Sequence, residues 1–510
     1  MSDFSIPSIR TDARTLILGL GQTGVAAALW CARHGAPLRV LDTRAKPAGM
    51  EALEQNLQQA DVDYRLGVEH FGEAALENVC TIVISPGLSP HTEPVAGLLA
   101  LAAGRNIEVV GEIELFARAL RDMAEQGYSP KVLAVTGTNG KTTVVSMARQ
   151  LAAAGGFHAR AAGNIGPAAL AALLDACEQG QLPDVWVLEL SSFQLEFTSG
   201  LELDAAAVLN VTQDHLDWHG SIEAYAKAKA RLLSMARVAV INRDDELVAG
   251  MVDDQRSPAV RSFGRSLPRW DGDLGLDGSA GLDWLAYCEA DEMDAPAPSG
   301  GRRKKTATPP QRPDGRVGRL MPADALRVRG LHNAFNAMAA LCLVRCLGAG
   351  WAGMLHALRD YAGEPNRSEF LRSIGAVDFI NDSKGTNVGA TLAALEGLGQ
   401  PVVLVAGGLG KGQDFSPLAK AVAQHARGVV LIGQDADVMA RALEGAGVRI
   451  EMASSMEDAA AKAFAMAQPG DAVLLSPACA SMDMFRDYVH RGQAFVDAVE
   501  ALALDNGEVA

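Results

Sequence analysis

Lys141 stands in the stretch LAVTGTNGKTTV, Leu133 to Val144, where an apolar run gives way to Gly, Asn, Gly and Lys and then to hydroxyl residues. With the pattern VVSMARQLAAA behind it, this reads as strand, tight loop and helix. Such a loop turns bare backbone N–H groups toward an anion at a helix N-terminus. The strict phosphate-loop spacing asks for Gly where this chain has Val135, so the loop needs support from its surroundings. Strand ends supply candidates. Glu189 lies in VWVLELSSFQLE at the end of a buried-type strand, the edge where ligands sit in an open α/β sheet. With the Thr142 hydroxyl it is placed to bind Mg²⁺, the alternative being a solvated strand-end acid. Asp214, His215, Asp217 and His219 follow another strand in AAAVLNVTQDHLDWHG, a cluster that points to function more than a lone histidine does. In YAKAKARLL, Lys227, Lys229 and Arg231 read by pattern alone as a solvated basic face.

A second glycine loop lies at the N-terminus. Gly19, Gly21 and Gly24 match G-x-G-x-x-G between a strand and a helix, and Asp42 ends the next strand, 18 residues past Gly24. Spacing and context are those of a dinucleotide site. A helix terminus senses only charge, so nucleotide-sugar diphosphates suit the loop as well as NAD does. The turn SPGLS, Ser85 to Ser89, adds a small-residue strand end, and a nicotinamide enzyme has no need of the separate lysine loop. An NAD-dependent oxidoreductase and a purely structural turn remain the alternatives.

The elements that must position these residues follow from alternating patterns. TLILGLGQTG, VAAALWCARHGA, PLRVLD and TIVISPG are strand, helix, strand and strand. The pattern restarts at KVLAVTGTNG and runs through VWVLELSSF, AAAVLNVT and RVAVINRDD, then again past Pro365 through VDFINDSK, PVVLVAGGLG, GVVLIGQ and DAVLLSPA. Alternation of this kind builds parallel sheets covered by helices. At 510 residues the chain exceeds one core. Three α/β domains are expected: 1–111, Rossmann-like; 112–363, central with a phosphate-loop-type parallel sheet; and 364–510, again Rossmann-like. Residues 265–319, rich in Gly, Pro, acids and then bases around APAPSGGRRKKTATPPQRPDGR, are expected to be a flexible insertion in the middle domain.

Composition narrows the classes. Hydrophobic content of 49% and charged content of 21% suit a globular protein, and the net charge of −16 opposes nucleic-acid binding. The N-terminus has no apolar signal core, and Arg345 interrupts the longest apolar stretch, so neither secretion nor membrane insertion is expected. The 7 cysteines include no CxxC pair, and Cys342 and Cys346 read as core thiols. A reduced, cytoplasmic protein is expected.

TGTNGKTT, GNIG, ELSSFQLE, NVTQDHLDWHG, GLHNAFN, NDSKGTNVGAT, GGLGKGQDF and SPACASMDMFRDYVHRG occur in this order across nearly the whole chain. Together they resemble the Mur ligases of peptidoglycan synthesis, and among them the branch that adds D-glutamate to UDP-N-acetylmuramoyl-L-alanine. The resemblance implies ATP-dependent amide formation through an acyl phosphate. Leu20, Gln22, Thr23, Asp42, Thr43, Arg44 and Gly87 would cradle the UDP. Gly137, Thr138, Asn139, Gly140, Lys141, Thr142 and Thr143 would bind ATP phosphates. Asn333, Asn336, Arg367, Asp382 and Lys384 would hold the rest of the nucleotide. Thr142 and Glu189 would hold one Mg²⁺; His215 and a CO₂-carbamylated Lys229 would hold a second. Asn164, with His215, would touch the UDP-substrate near the reacting carboxylate. Lys411, Ser481, Tyr488 and Thr386 would hold the incoming glutamate, with Arg491 nearby. Lys141, Glu189, His215, Lys229, Asn164 and Arg367 would be the catalytic set. Small-molecule substrates, no nucleic acid, a monomer and a third domain that closes on the second complete the expectation. The family commonly carries Pro-His-Arg where this chain has Pro365-Asn366-Arg367, so no imidazole titrates there. A sister Mur ligase or a folylpolyglutamate-type ligase is the nearest alternative.

Overall fold

The structure, a computed structural model, describes residues 4–508 apart from 258, 280, 291–310 and 329. Three sheets follow one another along the chain. The first places its strands in the order Val62–Leu66, Leu38–Asp42, Arg14–Leu18, Val79–Ile84, Glu108–Val110, every neighbour parallel. Strand order reverses beside Arg14–Leu18. The glycine loop after that strand and the SPGL turn after Val79–Ile84 therefore flank the crevice where such sheets take ligands. Gly24 lets the helix Gln22–Arg33 sit down on this loop, since a Cβ there would lie 2.0 Å from the Gly19 carbonyl oxygen.

Among the described residues the middle sheet has nine strands. Lys131–Thr136, which feeds the lysine loop, lies between Leu203–Val208 and Val185–Glu189, all parallel. Val132, Leu133, Ala134 and Val135 are buried, as helices on both faces require. Burying such a side chain contributes about 1.5–3 kcal/mol, which fixes the strand and hence the loop at its end. The third sheet carries five parallel strands and an antiparallel edge strand, Glu369–Ile374. Three α/β domains are thus present.

Residues 265–319, expected as a flexible insertion, are corrected over their described parts. Leu274–Asp277, Trp284–Glu289 and Arg316–Pro322 are strands that prolong the middle sheet, antiparallel to one another. Leu274, Leu276, Leu285 and Met321 are buried in the core. Two of the acids that made the stretch look solvated are paired: Arg319 Nε donates to Asp277 at 2.7 Å, and Arg312 pairs with Asp273 in the interior. Average composition concealed the few apolar positions that these short strands bury. The basic run Arg302 to Lys305 lies outside the described residues. No helix among the described residues is long and apolar enough to cross a membrane. All seven cysteines are free, with Cys342 buried and Cys346 partly so.

Candidate active site

At the reversal point of the first sheet, a cavity of about 660 Å³ is walled by Thr23, Asp42, Thr43, Arg44 and Gly87 together with the turn Ser85 to Ser89. Asp42 is nearly buried and accepts from the Leu20 N–H at 2.8 Å, the Arg44 N–H at 2.9 Å and both arms of the Arg44 guanidinium. Burial alone would raise its pKa, but these donors hold the carboxyl below the ordinary range. Its oxygens are already engaged, so Asp42 presents Arg44 to the cavity rather than standing free for an adenosine ribose. Two expected contacts sit elsewhere: the Leu20 side chain is wholly buried in the core, and Gln22 is an exposed residue outside the cavity wall.

The lysine loop is pinned from the next strand end. Asn139 N–H donates to Asn210 Oδ1 at 2.8 Å, Thr138 N–H to the Asn210 carbonyl at 2.9 Å, and Thr212 N–H to Thr138 Oγ1 at 3.0 Å. Gly140 takes φ 84°, and a Cβ there would meet Asn336 Oδ1 at 2.5 Å, so only glycine fits. Val135 is an interior residue of the preceding strand, which runs on to Thr136, so Gly137 and Gly140 make the close turn. Lys141 Nζ donates to the carbonyls of Gly137 and Thr138, both at 2.8 Å. Burial pushes its pKa down, Glu189 pulls it up and Arg367 pushes down again. The buried Glu189 carboxylate accepts from Thr142 Oγ1 at 2.7 Å and from Asn164 Nδ2 at 2.7 Å. Lysine, hydroxyl, carboxylate and amide thus meet at one sheet edge.

The third domain completes the site. Arg367 donates to Thr142 Oγ1 across the junction, and Asn139 and Asn387 exchange side-chain hydrogen bonds at 3.4 and 3.2 Å. A cavity of about 250 Å³ between the domains is lined by Asn139, Gly140 and Thr143 on one side and Arg367, Asp382 and Lys384 on the other. Asn333 and Asn336 line it too, joined by a 3.1 Å hydrogen bond. Burial raises Asp382 to about 6 despite the Ser476 hydroxyl and the Ser368 N–H that it accepts from. Burial, then Arg367, lowers Lys384 to about 8, and its ammonium lies 3.6 Å from the centre of the Tyr488 ring. Thr386, Lys411, Ser481 and Tyr488 stand outside this cavity wall. Leu409 and Ala480 pair as a short bridge that brings the Lys411 loop beside the Ser481 loop. Lys411 is exposed and Ser481 buried.

Lys229 is nine-tenths hidden and more, at 1% exposure. Its Nζ donates to the Gly137 carbonyl at 2.9 Å and sits 4.2 Å from the centre of the Tyr225 ring. Burial, reinforced by the charge of Lys141, drives its pKa well below the ordinary lysine value. A neutral amine is what reacts with CO₂. His215 takes φ 53°, with its ring 6.2 Å from Tyr225 and 4.8 Å from Phe193, so it borders the same aromatic group. Among the described residues no three His, Cys, Asp or Glu side chains gather to hold a metal. The donors present fit one cation at Thr142 and Glu189; a second near His215 needs the carboxylate that Lys229 would supply once carbamylated. The side chain of Asp217 lies outside those described.

Two lining residues, His332 and Trp218, were not singled out in the sequence, and Lys229 was named there by resemblance and not by pattern. Lys229 carried a signal after all: in the helix Ile222–Ser234 it shares the buried stripe of Tyr225, Ala228, Leu232 and Leu233. His332, neutral because burial lowers it to about 4, lines the nucleotide-side cavity, and Trp218 lines the first cavity. Neither has a spacing signature that would have marked it.

A Rossmann-type crevice, a lysine loop facing a strand-end carboxylate, and a third domain closing over them define a class. The chain belongs to the Mur ligase family. It matches the family descriptions "Mur ligase MurD-like, N-terminal domain" over residues 13–111, "Mur ligase middle domain" over 135–274 and "Mur ligase, glutamate ligase domain" over 366–479. Within the family it is similar to the UDP-N-acetylmuramoylalanine–D-glutamate ligase of Bordetella avium, at 63% identity over 98% of each chain. The enzyme of the same name from Ralstonia nicotianae is 54% identical over 96% of this chain and 97% of that one. Among solved structures, MurF from Acinetobacter baumannii shares the fold with TM-score 0.54 and 16% identity over 96% of this chain and 93% of that one.

Proposed function

We propose that this chain joins D-glutamate to UDP-N-acetylmuramoyl-L-alanine with conversion of ATP to ADP and phosphate, as a cytoplasmic step of peptidoglycan-precursor synthesis. The observation that carries this reading is the meeting of Lys141, Thr142, Glu189, Asn164 and Arg367 at one sheet edge, between a diphosphate-type crevice and an interdomain cavity. Residues 1–111 hold the UDP, 112–363 the ATP phosphates and 364–510 the glutamate, in a monomer whose third domain closes on the second.

A carboxylate is a poor acyl donor because its oxygen leaves badly. Lys141, released from the carbonyls of Gly137 and Thr138, neutralises the terminal phosphate so that the substrate carboxylate can approach it. Asn164 positions that carboxylate, and Arg367 spans the phosphates from the third domain. Phosphoryl transfer gives an acyl phosphate, which the glutamate amine, held by Lys411, Ser481, Tyr488 and Thr386, attacks with loss of phosphate. Mg²⁺, when bound at Thr142 and Glu189 and at His215 with carbamylated Lys229, supplies charge neutralisation on the transferring group. The test is ADP release with UDP-N-acetylmuramoyl-L-alanine and D-glutamate, L-glutamate or no amino acid. Stimulation by D-glutamate is expected; stimulation by neither overturns the assignment.

A further inference from the structure

Trp218 belongs to the middle domain, in the short helix Leu216–His219, yet it lines the cavity otherwise built from the first domain's glycine loop and its Ser85 to Val95 segment. Its ring touches both sides of the domain boundary. His91 of the first domain lies edge-on to it at 5.8 Å, while Phe193 and His219 of the middle domain pack on it at 4.8 and 4.4 Å. Phe193 in turn meets His215 at 4.8 Å, and His219 Nε2 sits 2.9 Å from Ser192 Oγ, just past Glu189. The indole therefore stands between the diphosphate crevice and the edge where the carboxylate reacts. Its Nε1 is turned away from solvent and has no hydrogen-bond partner among the described residues, so it is the carbon face and edge of the ring that wall the cavity.

Resting on the ligase reading, we propose that Trp218 binds the amino-sugar portion of the UDP-substrate. In that substrate the sugar is what joins the nucleotide to the reacting acid, so with the ends held at Arg44 and Asn164 it must pass the indole. An indole offers a broad apolar face to the carbon-bound hydrogens of a pyranose, with two torsions to fix. Contact with His91 makes the same ring sensitive to how the first domain sits on the second.

The experiment uses the full chain, Trp218→Phe and Trp218→Ala, each checked for an unchanged melting temperature. KM is measured separately for UDP-N-acetylmuramoyl-L-alanine, ATP and D-glutamate, and tryptophan fluorescence is titrated with UDP-N-acetylmuramoyl-L-alanine and with UDP alone. Trp218→Ala is expected to raise KM for the UDP-substrate about ten-fold, the change that about 1.4 kcal/mol produces, with the other two constants within two-fold. Trp218→Phe, which keeps a stacking face, recovers part of that loss. The fluorescence change is expected to be larger with the sugar-bearing ligand than with UDP and to vanish in Trp218→Phe. An unchanged KM in Trp218→Ala, a rise in all three constants together, or a fluorescence change that survives in Trp218→Phe overturns the proposal. Absence of ADP formation by the unaltered chain would instead sink the ligase reading, and the fluorescence titration would still decide on Trp218.

Discussion

Replacing Lys141 by alanine removes one positive charge from the place where phosphoryl negative charge concentrates. Its Nζ now caps two carbonyls of its own loop, at 2.8 Å each, and on arrival of a triphosphate it exchanges neutral acceptors for anionic ones. Two unit charges about 4 Å apart attract by about 4 kcal/mol at an effective dielectric constant near 20. The part of this attraction that grows in the transition state lowers the barrier. If most of it does so, the barrier rises by about 4 kcal/mol without the lysine, and kcat falls about 10³-fold. Folding should suffer little, because Lys141 is only half-buried and the two carbonyls can be hydrated. Steady-state ADP release for Lys141→Ala and for Lys141→Met, which keeps the apolar stem, measures the loss, and a thermal melt checks the fold. A kcat within ten-fold of the unaltered enzyme in either variant would refute the role given to this ammonium.

Gly492→Ala places a Cβ 1.7 Å from Asn366 Oδ1, in a loop where Asn366 and Ser368 already hold φ of 63° and 45°. A destabilisation of about 1–3 kcal/mol is expected, read as a lowered melting temperature. Burial raises Glu112 to about 7, although it accepts from the Leu170 N–H at 2.6 Å. A folded-state pKa raised above the unfolded one gives stability that is complete below about pH 4.5 and gone once pH passes about 7. Denaturant unfolding should therefore show the unaltered chain losing on the order of 3 kcal/mol over that range, a loss that Glu112→Gln does not share. Lys384, lowered to about 8, is cationic below that pH and neutral above it. In the unaltered enzyme KM for ATP should climb above pH 8, and Lys384→Arg should flatten that limb; an identical profile in both would remove Lys384 from nucleotide binding.

Loops punctuated by glycine were the most legible parts of the chain. Gly24 and Gly140 sit where backbone or side-chain atoms leave no room for a Cβ, and such positions mark themselves in sequence by residue type alone. Strands buried on both faces were equally plain, as in Lys131–Thr136 and Val402–Gly407. Edge strands were not. Arg449–Met452 and Glu369–Ile374 mix exposed and half-buried positions, so their composition looks like loop. In the prolonged middle sheet, cross-strand ion pairs such as Arg319–Asp277 imitate a solvated run until register is known. Site residues divide in the same way. Glu189 declares itself at a strand end, whereas Asn164 was named only through the resemblance. Arg491 does not: its guanidinium, 1% exposed, ties the Ser383 carbonyl and hydroxyl to the Cys479 carbonyl, and only the folded third domain brings those loops together.

In the proposed reaction, charge distribution ties nucleotide binding to closure of the third domain. Lys141 comes from the middle domain, and Arg367 and Lys384 from the third; beyond burial, and partly offset by Glu189, Arg367 lowers the pKa of Lys141, and both lower that of Lys384. Repulsion among three cations opposes the docked arrangement. What holds it in the absence of anions is a set of polar contacts, the Asn139–Asn387 exchange and Arg367 on Thr142, each contributing about 0.5–1.5 kcal/mol or somewhat more for the charged one. A triphosphate between the domains turns that repulsion into attraction on both sides at once, so its affinity is greater for the docked state than for the open one. A ligand shifts a conformational equilibrium only by such a difference. Glutamate, placed by the proposal on the third domain alone, would have no comparable grip on the middle domain. In the proposed reaction it is therefore ATP, already cradled at Lys141, that brings the glutamate residues to the acid they are to join.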